Sequence, residues 1–180
     1  MATSSKEFSK RFTFITDYIA PDEVEFLMQH MEVKQVDKNE GIIKDGAPSA
    51  VLYFVWSGFL LSYIEENSKI IEIGVITPGQ YIGEISFFDE GDATTSVKAL
   101  ESCTLFTLSR ENFAKLELNY PTISSKLMRS ISSQIISRLR SSDRLLFDSL
   151  NDESAEATEK TETANTRAWI NDVFASLHRN

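Results

Sequence analysis

The sequence predicts a mainly β domain with flanking helices, its strands arranged as a sandwich or barrel. Residues 32–108 are short runs rich in Val, Ile, Tyr and Phe, broken by Gly41, Gly46, Pro48, Gly58, Gly74, Pro78, Gly79, Gly83 and Gly91. Strand-length runs divided this often by turn residues favour antiparallel pairing over βαβ units. On both sides of that region the apolar residues change to helical spacing. With 180 residues, 42% apolar and 25% charged, the chain can bury one core of ordinary size.

The elements follow in order. Phe8, Phe12, Ile15 and Ile19 recur at helical spacing in a lead-in over residues 7–31. Pro21 opens its second helix, with Asp22, Glu23 and Glu25 in the first turn, where the helix dipole favours acidic groups. Val24, Leu27, Met28 and Met31 supply its apolar stripe. Val51 to Trp56 is apolar throughout and reads as a buried strand, and Phe59–Ile64 and Lys69–Ile76 read as a hairpin across the polar turn Glu65-Glu66-Asn67-Ser68. Ser109, followed by Glu111 and Asn112, starts a short helix carrying Phe113, Leu116 and Leu118.

Pro121 then introduces a helix of about 25 residues, with Ile123, Leu127, Ile131, Ile135 and Leu139 at four-residue steps. This stripe, widened by Met128 and Ile136, exceeds what one small barrel needs to cover and predicts a self-association seam. Residues 151–166 lack large apolar groups and carry five acidic residues against one lysine, which predicts a solvated linker. Trp169, Ile170, Val173, Phe174 and Leu177 fall on one face of a predicted tail helix.

Charge and composition narrow the function. Eighteen basic residues against 27 acidic ones give a net charge of −9, which opposes nucleic acid and anionic membrane. No run approaches the roughly 20 apolar residues of a membrane span, and the N-terminus lacks a signal-peptide core, so a cytoplasmic location is expected. Cys103 is the single cysteine and reads as a small core residue; with His30 and His178 far apart, no metal site is expected. No paired nucleophile and base is found, and catalysis is not expected.

Tyr81-Ile82-Gly83-Glu84-Ile85-Ser86-Phe87-Phe88-Asp89-Glu90-Gly91, with Pro78-Gly79-Gln80 before it and Ser96-Val97-Lys98-Ala99 after, resembles the phosphate-binding cassette of the cyclic nucleotide-binding domain family. Gly41-Ile42-Ile43, Gly46 and Leu52 to Gly58 resemble the family's entry strands, and Leu105 to Leu116 its exit into a helix. The resemblance spans residues 10–147. It implies a double-stranded β-helix, or jelly-roll, followed by a long hinge and dimerisation helix. The chain then divides into a lead-in over 1–31, a barrel over 32–120, the hinge helix over 121–150, an acidic linker over 151–166 and a tail helix over 167–180.

The same resemblance implies a ligand site. Gly83 would let the backbone approach a cyclic phosphate, the amides of Ile85, Ser86 and Phe87 would face it, and Glu84 would accept from the ribose 2′-hydroxyl. The family continues with an arginine that pairs with the phosphate, but this sequence reads Gly91-Asp92-Ala93-Thr94-Thr95-Ser96 and places Thr94 there. Lys98 lies roughly 13 Å further along an extended strand and is a poor substitute. Asp89, Glu90 and Asp92 add negative charge. Thr94, Thr95 and Ser96 could donate to a phosphate or to a less charged ligand.

The expectation is a non-enzymatic regulatory or sensory protein with no cofactor, in which cAMP or cGMP is bound weakly, with altered preference, or not at all. The alternative is a ligand-free scaffold. A homodimer or protein partner would meet Leu127, Ile131, Ile135, Leu139, Trp169 and Phe174. The relatives that act on DNA attach a helix-turn-helix after the hinge helix, and residues 151–180 are too few for one, so no DNA partner is expected.

Overall fold

In the computed structural model, which describes residues 3–67 and 69–151 and their side chains as far as Arg144, the β-rich region forms two antiparallel sheets. The strands are β1 (Glu32–Val36), β2 (Gly41–Ile43), β3 (Val51–Ser57), β4 (Leu60–Glu66), β5 (Lys69–Ile76), β6 (Tyr81–Ile82), β7 (Ser96–Ala99) and β8 (Cys103–Ser109). One sheet has the order β1-β8-β3-β6 and the other β2-β7-β4-β5. Consecutive strands therefore alternate between sheets in several places, as a jelly-roll requires.

Alternation along β8 shows how two cores share one strand. Cys103 and Leu105 point between the sheets, into a cluster with Val36, Val55, Leu60, Ile82, Val97 and Ala99. Phe106 faces the other way, towards the helical lead-in. That lead-in consists of α1 (Ser5–Arg11), α2 (Thr13–Thr16) and α3 (Glu23–Met28). Ser4 and Glu7 form a capping box on α1, satisfying N–H groups that a helix start leaves unpaired. Phe8, Phe12, Ile15 and Ile19 are all fully buried. Phe8 packs edge-on to Phe106 at 5.2 Å, and Phe12 edge-on to Phe54 of β3 at 5.6 Å. The lead-in is thus part of the hydrophobic core.

The β4–β5 hairpin is tighter than the polar tetrapeptide suggested. Glu66 pairs with Lys69, so Glu65 and Glu66 belong to the strand and only two residues connect the pair. Asn67 has φ +51°, the left-handed conformation that short hairpin loops demand and that Asn tolerates.

After β8, the Ser109 hydroxyl accepts from the Asn112 N–H and starts α5 (Arg110–Asn119), whose Phe113 and Leu116 are buried. Leu118, expected in the same stripe, is exposed. The long helix α6 runs from Pro121 to Asn151. Between Gln134 and Ile135 the chain divides into two units, the first holding the lead-in, both sheets, α5 and the opening turns of α6.

Those opening turns revise the expected partner seam. Leu127 and Ile131 are completely buried within the first unit, so neither is available to a partner. Helical periodicity identifies an apolar stripe without saying what covers it, and here the chain's own fold does. Ser130 donates to the Phe14 carbonyl at 2.9 Å, and the Tyr81 hydroxyl donates to the Ile131 carbonyl at 3.2 Å. In the second unit Ile135 is half-buried, and Leu139 is exposed together with Ile136. Trp169, Phe174 and the linker that precedes them lie outside the described residues.

Candidate functional site

The expected cassette begins where β6 ends. Gly83 has φ +88°, and a Cβ built on it would stand 2.5 Å from the Val51 carbonyl oxygen, 3.5 Å from Tyr53 Cδ2 and 3.6 Å from Ile43 Cδ1. Only glycine satisfies both the left-handed backbone and this approach to β3. The chain then enters α4 (Glu84–Asp89).

Within α4 the residues divide by role. Glu84 is 9% exposed and engaged, while Ile85 turns its side chain to solvent. The Ser86 and Phe87 side chains are buried, and the Phe87 ring meets Phe113 of α5 edge-on at 5.5 Å. The Phe87 N–H bonds to the Gly83 carbonyl at 3.1 Å, so of the three amides expected to face a ligand it is already used. Ile85 and Ser86 stand in the first turn, where N–H groups have no carbonyl one turn earlier in the helix.

The loop after α4 places the hydroxyls unequally. Ala93 is buried, its N–H bonded to the Ala47 carbonyl and its own carbonyl to the Gly46 N–H. Thr94 is exposed. Thr95 is half-buried, and its Oγ1 accepts from the Ser62 hydroxyl at 3.1 Å. Ser96 accepts from the Asp45 N–H at 3.0 Å. Leu60 pairs with Ala99 and Ser62 with Val97, and Leu60, Val97 and Ala99 all belong to the inter-sheet cluster, so Ser62 and Thr95 share the inner face. Lys98 lies on the opposite face, its ammonium 5.1 Å from the centre of the Tyr63 ring.

Across the barrel, Tyr53 packs against the inter-sheet cluster beside Gly83, and burial raises its phenol above the ordinary tyrosine pKa. Sequence reasoning had missed Tyr53 and Ser62. The signal for Ser62 was present: it is the one aliphatic hydroxyl in the run Leu60-Leu61-Ser62-Tyr63-Ile64, at a position whose alternation points inward, whereas Tyr63 falls on the other face. The arrangement can supply hydroxyl donors, two backbone N–H groups and one carboxylate. Residues 83–97 contain neither Arg nor Lys. Among the described residues no group of His, Cys, Asp and Glu is placed to hold a metal ion, and no helix is long and apolar enough to cross a membrane.

Residues 33–120 match the family model described as the cyclic nucleotide-binding domain. This chain carries a cyclic nucleotide-binding domain. A crystal structure of a cyclic nucleotide-binding domain from Methylobacillus flagellatus superimposes with a TM-score of 0.72 at 22% identity, covering 82% of this chain and 87% of that one. The Cyclic AMP receptor protein of Thermus thermophilus is 28% identical over 76% of this chain and 62% of its own length. Lysophospholipase NTE1 of Phaeosphaeria nodorum is 30% identical over 81% of this chain, which spans only 10% of that much longer protein. The Methylobacillus flagellatus structure, at 22% identity, carries the fold alone.

Proposed function

We propose that this protein is a non-enzymatic, cytoplasmic regulatory or sensory module whose cyclic nucleotide-binding domain takes cAMP or cGMP weakly or with altered preference. The observation that carries this reading is the uneven state of the cassette. The turn at Gly83, the α4 helix and the buried Glu84 are in place, but residues 83–97 contain no basic side chain to meet a phosphate. Lys98 is turned to the other face of its sheet. Hydroxyls and backbone N–H groups can still hold a monoanion. Losing one charge-assisted hydrogen bond costs about 1.5–3 kcal/mol, or more than tenfold in affinity. The net charge of −9 argues against a DNA partner.

Calorimetric titration with cAMP and cGMP tests the proposal. Binding weaker than low micromolar is expected for both, weakened further in Glu84→Ala; low-micromolar affinity in the wild-type protein would refute the role given to the missing cation.

A second reading is a ligand-free scaffold that engages a homodimer mate or another protein. The exposed apolar residues Ile136 and Leu139 on α6 favour it. Paired Ile136→Lys and Leu139→Lys substitutions should then abolish self-association measured by sedimentation, whereas a protein that stays monomeric at all concentrations removes the homodimer form of this reading.

A further inference from the structure

The α4 helix is held from its far end. A helix leaves its last carbonyls without intrahelical partners, and α4 has only six residues in which to satisfy them. The Gly91 N–H, which stands one turn beyond Phe87, bonds instead to Asp89 Oδ1 at 2.8 Å. The Arg110 guanidinium takes up these carbonyls. Its Nη2 donates to the Ser86 oxygen at 2.7 Å and its Nε to the Phe87 oxygen at 3.2 Å.

Arg110 is itself fixed. As the first residue of α5 it donates its backbone N–H to the Ala50 carbonyl at 2.8 Å, immediately before Val51, whose own carbonyl limits the space at Gly83. One residue therefore ties the end of α4 to the start of β3, and β3 in turn sets the turn at the start of α4. The planar fork of a guanidinium can make two such bonds in fixed geometry, whereas an ammonium acts as a point charge. A cation at a helix C-terminus also meets the negative end of its dipole.

We propose that Arg110 is the positioning residue of the candidate nucleotide site: by gripping α4 at the Ser86 and Phe87 carbonyls, it sets where the first-turn amides and Glu84 stand relative to a bound ligand. This rests on the cyclic nucleotide reading of the site given above. Arg110 does not touch the ligand. The guanidinium that α5 brings to the cassette is spent behind the helix, on its geometry.

The test compares wild type, Arg110→Lys and Arg110→Met in the full chain. Hydrogen exchange is followed in the ligand-free proteins, affinity for cAMP and cGMP by calorimetry, and the urea midpoint as a control for global stability. In Arg110→Met, exchange across residues 84–91 should accelerate about tenfold or more, as expected for loss of charge-assisted hydrogen bonds, with β3 and β8 unchanged. Arg110→Lys should fall between the two. Nucleotide dissociation constants should rise in the same order, out of proportion to any shift in the midpoint. Unchanged exchange at 84–91, or acceleration spread evenly over the fold, overturns the proposal. Local acceleration with unaltered nucleotide affinity overturns it as well. If the wild-type protein takes neither nucleotide, the functional reading fails on its own, and the exchange comparison still decides whether Arg110 positions α4.

Discussion

Lys126 Nζ lies 2.7 Å from Glu23 Oε1 and 2.5 Å from Glu23 Oε2, joining α6 to α3 across 103 residues of sequence. The same carboxylate accepts from the Ala20 N–H at 2.9 Å, so it both braces the turn that leads into α3 and anchors α6. The Lys126 hydrogen bond, followed by the one from Ala20, holds the Glu23 carboxyl below its ordinary pKa.

A carboxyl lowered in the folded state stabilises the fold above its ordinary pKa, and that contribution is lost as pH falls through the folded value. The pair is partly open to solvent, with side chains 35% and 24% exposed, so its worth is that of a surface pair, about 0.5–1 kcal/mol. A double-mutant cycle with Glu23→Gln and Lys126→Met should give that coupling at neutral pH and none at a pH well below the carboxylate range. Zero coupling at neutral pH would remove the pair as an anchor of α6.

Gly83 should be intolerant of any side chain. Alanine there must hold φ +88° and place its Cβ 2.5 Å from the Val51 oxygen, so either β3 or the α4 turn has to move. Gly83→Ala should cost about 2 kcal/mol or more in urea unfolding, by the sum of left-handed strain and displaced backbone. Gly41→Ala is the control: nothing stands within 4 Å of its Cβ position. It should change stability by less than about 0.5 kcal/mol, in the usual range for open surface sites. Equal losses at the two positions would mean that the close approach at Gly83 is not what fixes the turn.

Cys103 should be inert in the native protein. It is 1% exposed, its Sγ donates to the Glu101 carbonyl at 3.2 Å, and it fills the space in front of Gly58. Burial, reinforced by the Glu101 charge, raises the thiol above its ordinary pKa, so little of the reactive thiolate forms in the native state. Labelling by a thiol-specific disulfide reagent should therefore follow the fraction of unfolded protein as urea is added. Rapid stoichiometric labelling without denaturant would show that β8 opens locally.

Much of this architecture is legible in the sequence because its signals are local. Phe8, Phe12, Ile15 and Ile19 announce a buried apolar face, although the helix they suggest breaks at Phe12 and ends before Ile19; alternating apolar residues with interspersed glycines announce the strands. The cassette glycine is legible for the same reason, since Gly83 answers a backbone requirement at its own position. Relations across the fold are not. The stripe Leu127–Ile131 is equally compatible with a partner and with the chain's own core, and only the packing of α6 against the lead-in decides. Arg110 reaches carbonyls 23 and 24 residues earlier in the chain, and no spacing rule marks it. Thr94 and Thr95 look interchangeable as letters, yet one is exposed and the other bonded to Ser62 on the inner face.

That last difference fixes the final prediction. If a missing cation limits nucleotide affinity, supplying one in the loop should restore it, and the two candidate positions are distinguishable. Thr94→Arg adds a guanidinium at the expected position, where the side chain is exposed and can reorient without cost to the fold. Ala93→Arg adds it at the neighbouring buried position, where it must displace packing beside Gly46 and Ala47 or reach into the barrel. A productive arginine should tighten cAMP or cGMP binding about tenfold or more, the equivalent of one charge-assisted hydrogen bond. It should also make binding weaken as salt is added, because the phosphate would then meet a full charge. A gain with Thr94→Arg alone supports the expected register. A gain with Ala93→Arg alone moves the register by one residue and leaves the argument about the missing charge intact. Failure of both, with each variant still folded by its urea midpoint, would mean that charge is not what this site lacks, and attention would turn to hydroxyl recognition by Tyr53, Ser62 and Thr95.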